Sequence, residues 1–383
     1  MQKIILSVLF GAPLISLLLM NLLTDPNDLI LDDSSYDKHA MAKPHDSWKN
    51  MVGMGENNYI WKKSKKPKLA YKRKATTKNF KNAQLPSKKR KIIDIHEHVA
   101  SENDALRLLK IMDELNIKQT VLMGTSIYTI TLDQKYGFEK FKENNELIIS
   151  LANKYPKRFI AFPTIKPDEA NNLNLLKNYI KNGASGFKLY LGHGASTGKE
   201  DFHSFALDHP SMLPIYKWAE QQQVPIMLHT NLTKFYTEFL SVMESFPLLR
   251  ITIPHFGLYK KTKDRLNRLD WLLNRYPNLY TDISFGFYTF HIDAFEKFAN
   301  WPSRYKSFLN KNASKILFSA DLVITPIIHD SYIKETITSY MKILELKYFR
   351  FFLRPKYLMR GLKLDKECLN QIYSNTAVDF LKF

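Results

Sequence analysis

From residue 91 onward, short apolar runs alternate with longer segments whose apolar residues recur every three or four positions. The longer segments, such as DALRLLKIMDELN (104–116) and NNLNLLKNYIKNG (171–183), have the spacing of amphipathic helices. Eight runs have the length of buried strands: KIIDIHEHV (91–99), KQTVLMG (118–124), RFIAFPTI (158–165), SGFKLYL (185–191), VPIMLHT (224–230), LRITIPHFG (249–257), NLYTDIS (278–284) and SKILFSAD (314–321). Strand–helix alternation predicts a parallel α/β sheet, and eight units in about 250 residues predict a (β/α)8 TIM barrel. An open doubly wound sheet is the alternative, but no glycine-rich turn follows the first strand.

The first run contains an unusual set of polar residues. Asp94, His96 and His98 lie two positions apart in an otherwise apolar strand. Because strand side chains alternate between faces, we expect all three to point to the same side. If that side faces the barrel interior, two imidazoles converge near the carboxyl end of the strand.

Further polar residues stand late in other runs. His229 and His255 lie near the ends of the fifth and sixth runs, Asp321 ends the eighth, and Lys188 lies in the fourth. Catalytic residues of such barrels come from the carboxyl ends of several strands, which meet at one mouth. Buried imidazoles without partners are costly, and imidazole and carboxylate are ligands of divalent metals such as Zn²⁺. We therefore predict a metal that lowers the pKa of a water, with Asp321 as the acceptor of its proton.

Taken as a set, these runs resemble the strand motifs of the amidohydrolase superfamily, and most closely its amidohydrolase-related branch. The motifs that carry the resemblance are IIDIHEHV, GFKLY, PIMLHTN, ITIPHFG, LYTDIS and ILFSAD, and the closing LDKECLNQIYSNTAVDFL is similar to the C-terminal helices of that branch. The resemblance covers residues 91 to 383. It departs in the eighth run, where the family usually has Ser directly before the aspartate and this chain has Ala320.

The resemblance implies a role for each candidate residue. His96, His98, His229 and Asp321 would be metal ligands, and His255 would bind a second ion or orient the attacking water or the substrate. Lys188 matches the strand-four lysine that, in two-metal members, carries a carboxylate from CO₂ and bridges the ions. We expect a divalent metal, with Zn²⁺ as the first choice, and favour one ion over two.

The implied activity is that of a metal-dependent hydrolase acting on an amide, ester or lactone bond of a small molecule. The same branch contains metal-dependent non-oxidative decarboxylases, and release of CO₂ without incorporation of water would identify that alternative. A third hypothesis is a catalytically silent, membrane-tethered binding module. Retention of the whole candidate ligand set argues against it.

The N-terminal segment, residues 1–24, is predicted to be a hydrophobic anchor or signal. Residues 4–23 (IILSVLFGAPLISLLLMNLL) carry no charge and are long enough to span a bilayer as a helix. Lys3 precedes this stretch and the acidic TDPNDLILDD follows it, which favours a membrane anchor with the catalytic domain outside the cytoplasm, periplasmic or extracellular. Secretion after signal cleavage is the alternative, weakened because no A-x-A-like site follows Leu23.

Residues 25–90 are predicted to be a basic, largely disordered linker that precedes the barrel domain at 91–383. The chain has a formal net charge of +19, and residues 38–91 alone carry 17 Lys and Arg against Asp46 and Glu56. Such a tract suits anionic lipid head groups, or serves as a solvated spacer; nucleic acid is the least favoured partner beside a membrane anchor. The single cysteine, Cys368, excludes an internal disulfide framework. The sequence leaves open whether the chain is a homo-oligomer.

Overall fold

The fold is that of a computed structural model, which describes residues 90–131, 136–191, 205–258, 263–286, 288–354 and 357–382. The predicted anchor at 1–24 and the predicted linker, apart from Arg90, lie outside these residues. Within the described ranges, no helix combines the length and the apolarity needed to cross a membrane.

Each of the eight predicted runs contains a strand, and both quoted helical segments contain a helix. The strands are β1 Ile92–Val99, β2 Ile117–Met123, β3 Phe159–Phe162, β4 Phe187–Tyr190, β5 Ile226–His229, β6 Ile251–Ile253, β7 Leu279–Asp282, β8 Ile316–Leu317, β9 Leu322–Ile324, β10 Tyr348–Arg350 and β11 Leu358–Arg360. The helices are α1 Glu102–Leu115, α2 Ile127–Thr131, α3 Phe141–Lys154, α4 Asn172–Lys181, α5 Leu213–Gln222, α6 Tyr236–Ser245, α7 Lys263–Arg275, α8 Tyr288–Asn300, α9 Pro302–Lys311, α10 Asp330–Glu345, α11 Lys366–Asn370 and α12 Thr376–Leu381.

The parallel strands form a TIM-barrel-like α/β fold. Backbone pairing gives two parallel sheets, in the orders β3-β2-β1-β9 and β4-β5-β6-β7-β8. A parallel bridge between Thr164 and Lys188 joins the sheets beside β3 and β4. On the other side, β8 pairs with β7 and β9 pairs with β1, so the interrupted eighth strand closes the ring.

Buried apolar residues lie on both sides of the strands. Val121 on β2 and Met227 on β5 belong to a cluster inside the barrel, whereas Leu122 and Leu228, one position further, pack with the surrounding helices. Membership of the two clusters shows which face of each strand points inward. Because the barrel strands are parallel, their carboxyl ends lie together at one end of the barrel, called the mouth, and their amino ends lie at the other, called the floor.

The floor is closed by the C-terminal helix α12. Phe380 belongs to the inner cluster, with its ring 6.3 Å from that of Phe162 and 5.3 Å from that of Tyr280. The guanidinium of Arg250, at the start of the sixth strand, donates to the backbone carbonyls of Asp379 and Phe380. These contacts join a buried guanidinium to the backbone of α12 and hold the helix across the opening.

A bulge in β1 changes which side chains reach the interior. Asp94 is paired with Thr120 and Glu97 with Leu122, so three steps along β1 match two along β2. An extra residue reverses the alternation, because side chains change face at every step. Ile93 and Ile95 face inward before the bulge, and the two histidines face inward after it. The prediction that Asp94 shares a face with His96 and His98 is therefore wrong.

Candidate metal centre at the barrel mouth

Three predicted ligands meet at the carboxyl end of β1. His96 and His98 belong to this strand, and Asp321 lies in the break between β8 and β9. Among the described residues, they form the group whose potential ligand atoms all lie within 4.8 Å of one another, and all three are buried. Oδ1 of Asp321 is 3.1 Å from Nε2 of His96 and 3.5 Å from Nε2 of His98.

The outer nitrogen of each imidazole has a polar partner that orients the ring. Nδ1 of His96 lies 3.2 Å from Oδ2 of Asp282, a carboxylate that can only accept. Nδ1 of His98 lies 2.8 Å from the hydroxyl of Thr125, which donates its own proton to the carbonyl of Met123 at 3.0 Å. Protons on both Nδ1 atoms would leave both Nε2 lone pairs facing the centre, which is the arrangement that a metal ion there would need. Partners of this kind orient metal-binding histidines in proteins.

The protonation states also suit a cation. Burial, with the nearby Lys188 charge, lowers the pKa of His98 to about 3, so its imidazole is neutral near pH 7. Burial alone would raise the pKa of Asp321, but electrostatic attraction by His96 and His255 and the hydrogen bond with His98 outweigh it and hold the pKa well below its usual value. The group thus offers imidazole nitrogens and an anionic oxygen, the donor set that Zn²⁺ and similar ions prefer. The residues present fit a divalent metal.

Lys188 reaches the same centre from β4. Its Nζ lies 3.0 Å from Nε2 of both His96 and His98, and the residue is only 2% exposed. Burial lowers the pKa of this amine to about 8, which brings its neutral form within reach of ordinary pH. The structure therefore brings the predicted lysine into contact with two predicted ligands, and its bridging role stays a prediction.

His255 approaches Asp321 from the end of the sixth strand. Its Nδ1 donates to the carbonyl of Ser284 at 2.9 Å, and its Nε2 lies 3.4 Å from Oδ2 of Asp321. Burial lowers the pKa of His255, so the ring is neutral near pH 7. Its backbone has a φ of 59°, the left-handed region that costs free energy for a residue other than glycine.

His229 lies beside His255 at the end of β5. Its ring centroid is 4.8 Å from that of His255 and 4.5 Å from that of Tyr190. His229 is not part of the three-residue group defined by the 4.8 Å limit. It therefore lines the mouth next to the centre, and its role as a ligand stays a prediction.

Asp282, at the end of β7, was not among the predicted site residues. Its Oδ2 accepts from His96, while its Oδ1 accepts from the backbone N–H of His255 at 2.9 Å and from the hydroxyl of Ser284 at 2.7 Å. One buried carboxylate therefore positions two of the candidate histidines. The sequence did contain a signal for it, since Asp282 ends the seventh run as Asp321 ends the eighth.

Glu97, between the two histidines in sequence, was also overlooked. Its Oε2 accepts from the backbone N–H of Leu322 at 3.0 Å, directly after Asp321. Burial and the neighbouring Asp94 carboxyl raise the pKa of Glu97 well above its usual value. Burial likewise raises the pKa of Asp94 to about 7. This pair lies behind the histidines and ties β1 to the segment that carries Asp321.

A comparison with protein-family profiles identifies the described barrel. Residues 93–383 match the profile described as Amidohydrolase, which covers about three quarters of the chain. A search of curated proteins gave no match.

Solved structures share the fold at low sequence identity. An uncharacterised TIM-barrel protein from Bordetella bronchiseptica is 16% identical, with a TM-score of 0.51, over 76% of this chain and 98% of that one. A probable 2-pyrone-4,6-dicarboxylic acid hydrolase from Acinetobacter baumannii, with citric acid bound, is 17% identical, with a TM-score of 0.51, over 76% and 99%. A putative hydrolase of the same description from Pseudomonas putida is 15% identical, with a TM-score of 0.51, over 76% and 97%. At these identities the likeness shows the fold alone.

Proposed function

Because the chain belongs to the amidohydrolase family, a metal-dependent family that includes hydrolases and decarboxylases, we propose that it is a metal-dependent hydrolase. The substrate is a small molecule, and the bond cleaved is an amide, ester or lactone. The proposal rests on one observation: two imidazole nitrogens and one carboxylate oxygen converge within 4.8 Å of one another at the mouth of the barrel.

His96, His98 and Asp321 would hold the ion, with His229 as a further ligand and Lys188 as the bridging residue if a second ion binds. A divalent ion at this place lowers the pKa of a water and polarises the oxygen of a substrate carbonyl. We favour one Zn²⁺ ion.

Asp321 is the proposed proton acceptor. One of its oxygens faces the two imidazoles of β1, and the other lies 3.4 Å from Nε2 of His255. The Asp321 carboxylate is ionised at neutral pH, so it has a free oxygen lone pair with which to accept a proton from an attacking water. The neutral His255 beside it would orient that water or the substrate.

The test begins with the metal content of the purified full-length chain. We expect about one equivalent of a divalent ion, lost in His96→Ala and retained in His209→Ala. His209 is an exposed histidine whose Nδ1 contacts Ser211, so the matched variant controls for loss of an imidazole as such. Equal metal content in the two variants would contradict the assignment.

Activity is then measured on panels of amides, esters, lactones and aromatic acids in ¹⁸O-labelled water. A hydrolase incorporates one labelled oxygen into the acid that it releases. Release of CO₂ from a carboxylic acid without label would identify the decarboxylase instead. Turnover of no compound by the metal-loaded chain would leave the binding module as the better hypothesis.

The membrane anchor and the location outside the cytoplasm remain proposals that rest on residues 4–23 and their flanking charges. Protease accessibility of the barrel domain tests them, compared among intact cells, cells with a permeabilised outer envelope and lysed cells. Digestion only after the cytoplasmic membrane is broken would contradict a catalytic domain outside the cytoplasm.

A further inference from the structure

The two carboxylate oxygens of Asp321 face different surroundings. Oδ1 lies 3.1 Å from Nε2 of His96 and 3.5 Å from Nε2 of His98. Oδ2 lies 3.4 Å from Nε2 of His255. Rotation of this carboxylate therefore alters the contacts with β1 and with His255 together, because the two oxygens belong to one planar group.

Gly286 lies against the second of these oxygens. Its φ is 65°, in the region that favours glycine, and a Cβ added there would lie 2.7 Å from Oδ2 and 3.7 Å from Cγ of Asp321. Apart from its chain neighbours, no other described residue comes within 4 Å of that Cβ position. The space beside Gly286 is thus bounded by the Asp321 carboxylate and is otherwise open among the described residues.

We propose that Gly286 is a positioning residue. Because it has no Cβ, it leaves room for the Asp321 carboxylate in the orientation that directs one oxygen to the two β1 imidazoles and the other to His255. The role is steric, because a Cβ at position 286 would lie 2.7 Å from the place that Oδ2 of Asp321 occupies. Gly286 follows β7 and Asp321 follows β8, so the orientation depends on two loops that meet only in the folded barrel. The inference rests on the proposed function only in taking Asp321 as a metal ligand.

A methyl group at position 286 would push Oδ2 away, since 2.7 Å is well inside ordinary contact distance. The displacement carries Oδ1 with it and shifts a ligand atom. Changes in groups that orient metal ligands typically weaken metal affinity by about 10–100-fold. We expect a loss in that range for Gly286→Ala.

Gly183→Ala is the matched control. Gly183, on the connection between α4 and β4, has a φ of 110°, and its added Cβ would contact the side-chain amide of Asn153 on α3. Both variants add a methyl group to a glycine with a positive φ, and in both the methyl group meets one polar side chain. That side chain is Asp321 of the candidate centre in one variant and Asn153, outside the centre, in the other. The difference between them isolates the contact with Asp321 from general backbone strain.

The measurement is Co²⁺ binding to the full-length chain, followed by the visible absorption of the ion, which reports its coordination. Gly286→Ala should weaken Co²⁺ affinity about 10–100-fold and change the spectrum, whereas Gly183→Ala should leave both as in the wild type. Gly286→Asn, which tolerates a positive φ better, serves if the alanine variant does not fold. Wild-type affinity and spectrum in a folded 286 variant would overturn the proposal.

A double-mutant cycle on unfolding by urea gives a second readout that involves no metal. If the contact is with Asp321, Gly286→Ala should destabilise the chain less in an Asp321→Ala background than in the wild type. Equal destabilisation in both backgrounds would also overturn the inference. A wild-type chain that binds Co²⁺ but hydrolyses nothing would count against the proposed reaction, while both tests of Gly286 could still be performed.

Discussion

The floor and the mouth of the barrel both bury charged side chains, but they stabilise them by different contacts. On the floor, Arg250 donates to two backbone carbonyls of α12, and the ring of Phe380 fills the space above them. At the mouth, the amine of Lys188 lies against the imidazoles of His96 and His98. The floor pairs its guanidinium with backbone carbonyls, which do not titrate, whereas the mouth places its amine against imidazoles, which can also bind a cation.

Left-handed φ values occur at both ends of the barrel, since Lys382, directly after α12 on the floor, has a φ of 56°. His255 and Asp321 at the mouth both have left-handed φ values, 59° and 53°. Residues held in such conformations cost free energy and cluster at functional sites. At the mouth this cost falls on two candidate site residues, whereas on the floor it falls on the residue that ends a helix.

The largest expected effect lies on the floor. Phe380→Ala removes a fully buried ring and should lower the free energy of unfolding by about 3–5 kcal/mol. Urea unfolding measures it, with Phe290→Ala as control because Phe290 is 57% exposed. Metal content of the folded variant should not change. Similar stability losses in the two variants would remove the distinction between floor and mouth.

At the mouth, Asp321→Asn should weaken metal affinity by more than about 100-fold, beyond the loss typical of an outer partner. Asparagine adopts a positive φ as readily as aspartate, so the variant removes the charge and keeps the backbone. Competition with a chelator measures the affinity. The control is Asp379→Asn, an exposed residue of α12 on the floor. A loss of less than tenfold in Asp321→Asn would argue against this residue as a ligand.

Asp282→Asn should have a smaller effect, a loss of about 10–100-fold in metal affinity or activity. The charge that favours the Nδ1-protonated tautomer of His96 is removed, while the shape of the side chain remains. Asp270→Asn is the control. Asp270 lies on the outer helix α7 and also accepts several hydrogen bonds, from Lys311 at the end of α9 and from Asn312 directly after it. If both variants behave alike, Asp282 has no special part in orienting the histidine.

The smallest effect is a pH dependence at Glu345. Burial raises its pKa above the usual 4.5 despite the hydrogen bond from the hydroxyl of Tyr373 and the charge of Arg90. In the window from pH 4.5 to its raised pKa, the folded state binds more protons than the unfolded state, so stability falls as pH rises. Glu345→Gln should lack this decrease when unfolding free energies are measured across that window. Parallel pH profiles of the wild type and the variant would contradict it.

Much of the fold could be predicted from local sequence patterns. Each apolar run contained a strand, because a strand of a parallel sheet is buried on both faces and reads as a continuous apolar segment. The break in the eighth strand could not be predicted from such patterns. It depends on the backbone N–H of Asp321 donating to the carbonyl of His96 at 2.8 Å, a contact between segments distant in sequence.

The candidate site was predicted in part. His96, His98, Lys188, His255 and Asp321 do converge, as strand-end positions indicated, and Asp282 could have been found by the same rule. Thr125 could not be found in this way, because its hydroxyl contacts His98 only when β2 and β1 are paired in the folded barrel.

The amino-acid sequence by itself determined which donors exist, on which strands they lie and in what order, since these follow from residue identity and apolar spacing. Only the tertiary structure decided where they point. The bulge in β1 turned Asp94 away from the histidines because register is a property of two paired strands. The orientation of Asp321 likewise depends on Gly286 and His255, which reach it only when the barrel closes.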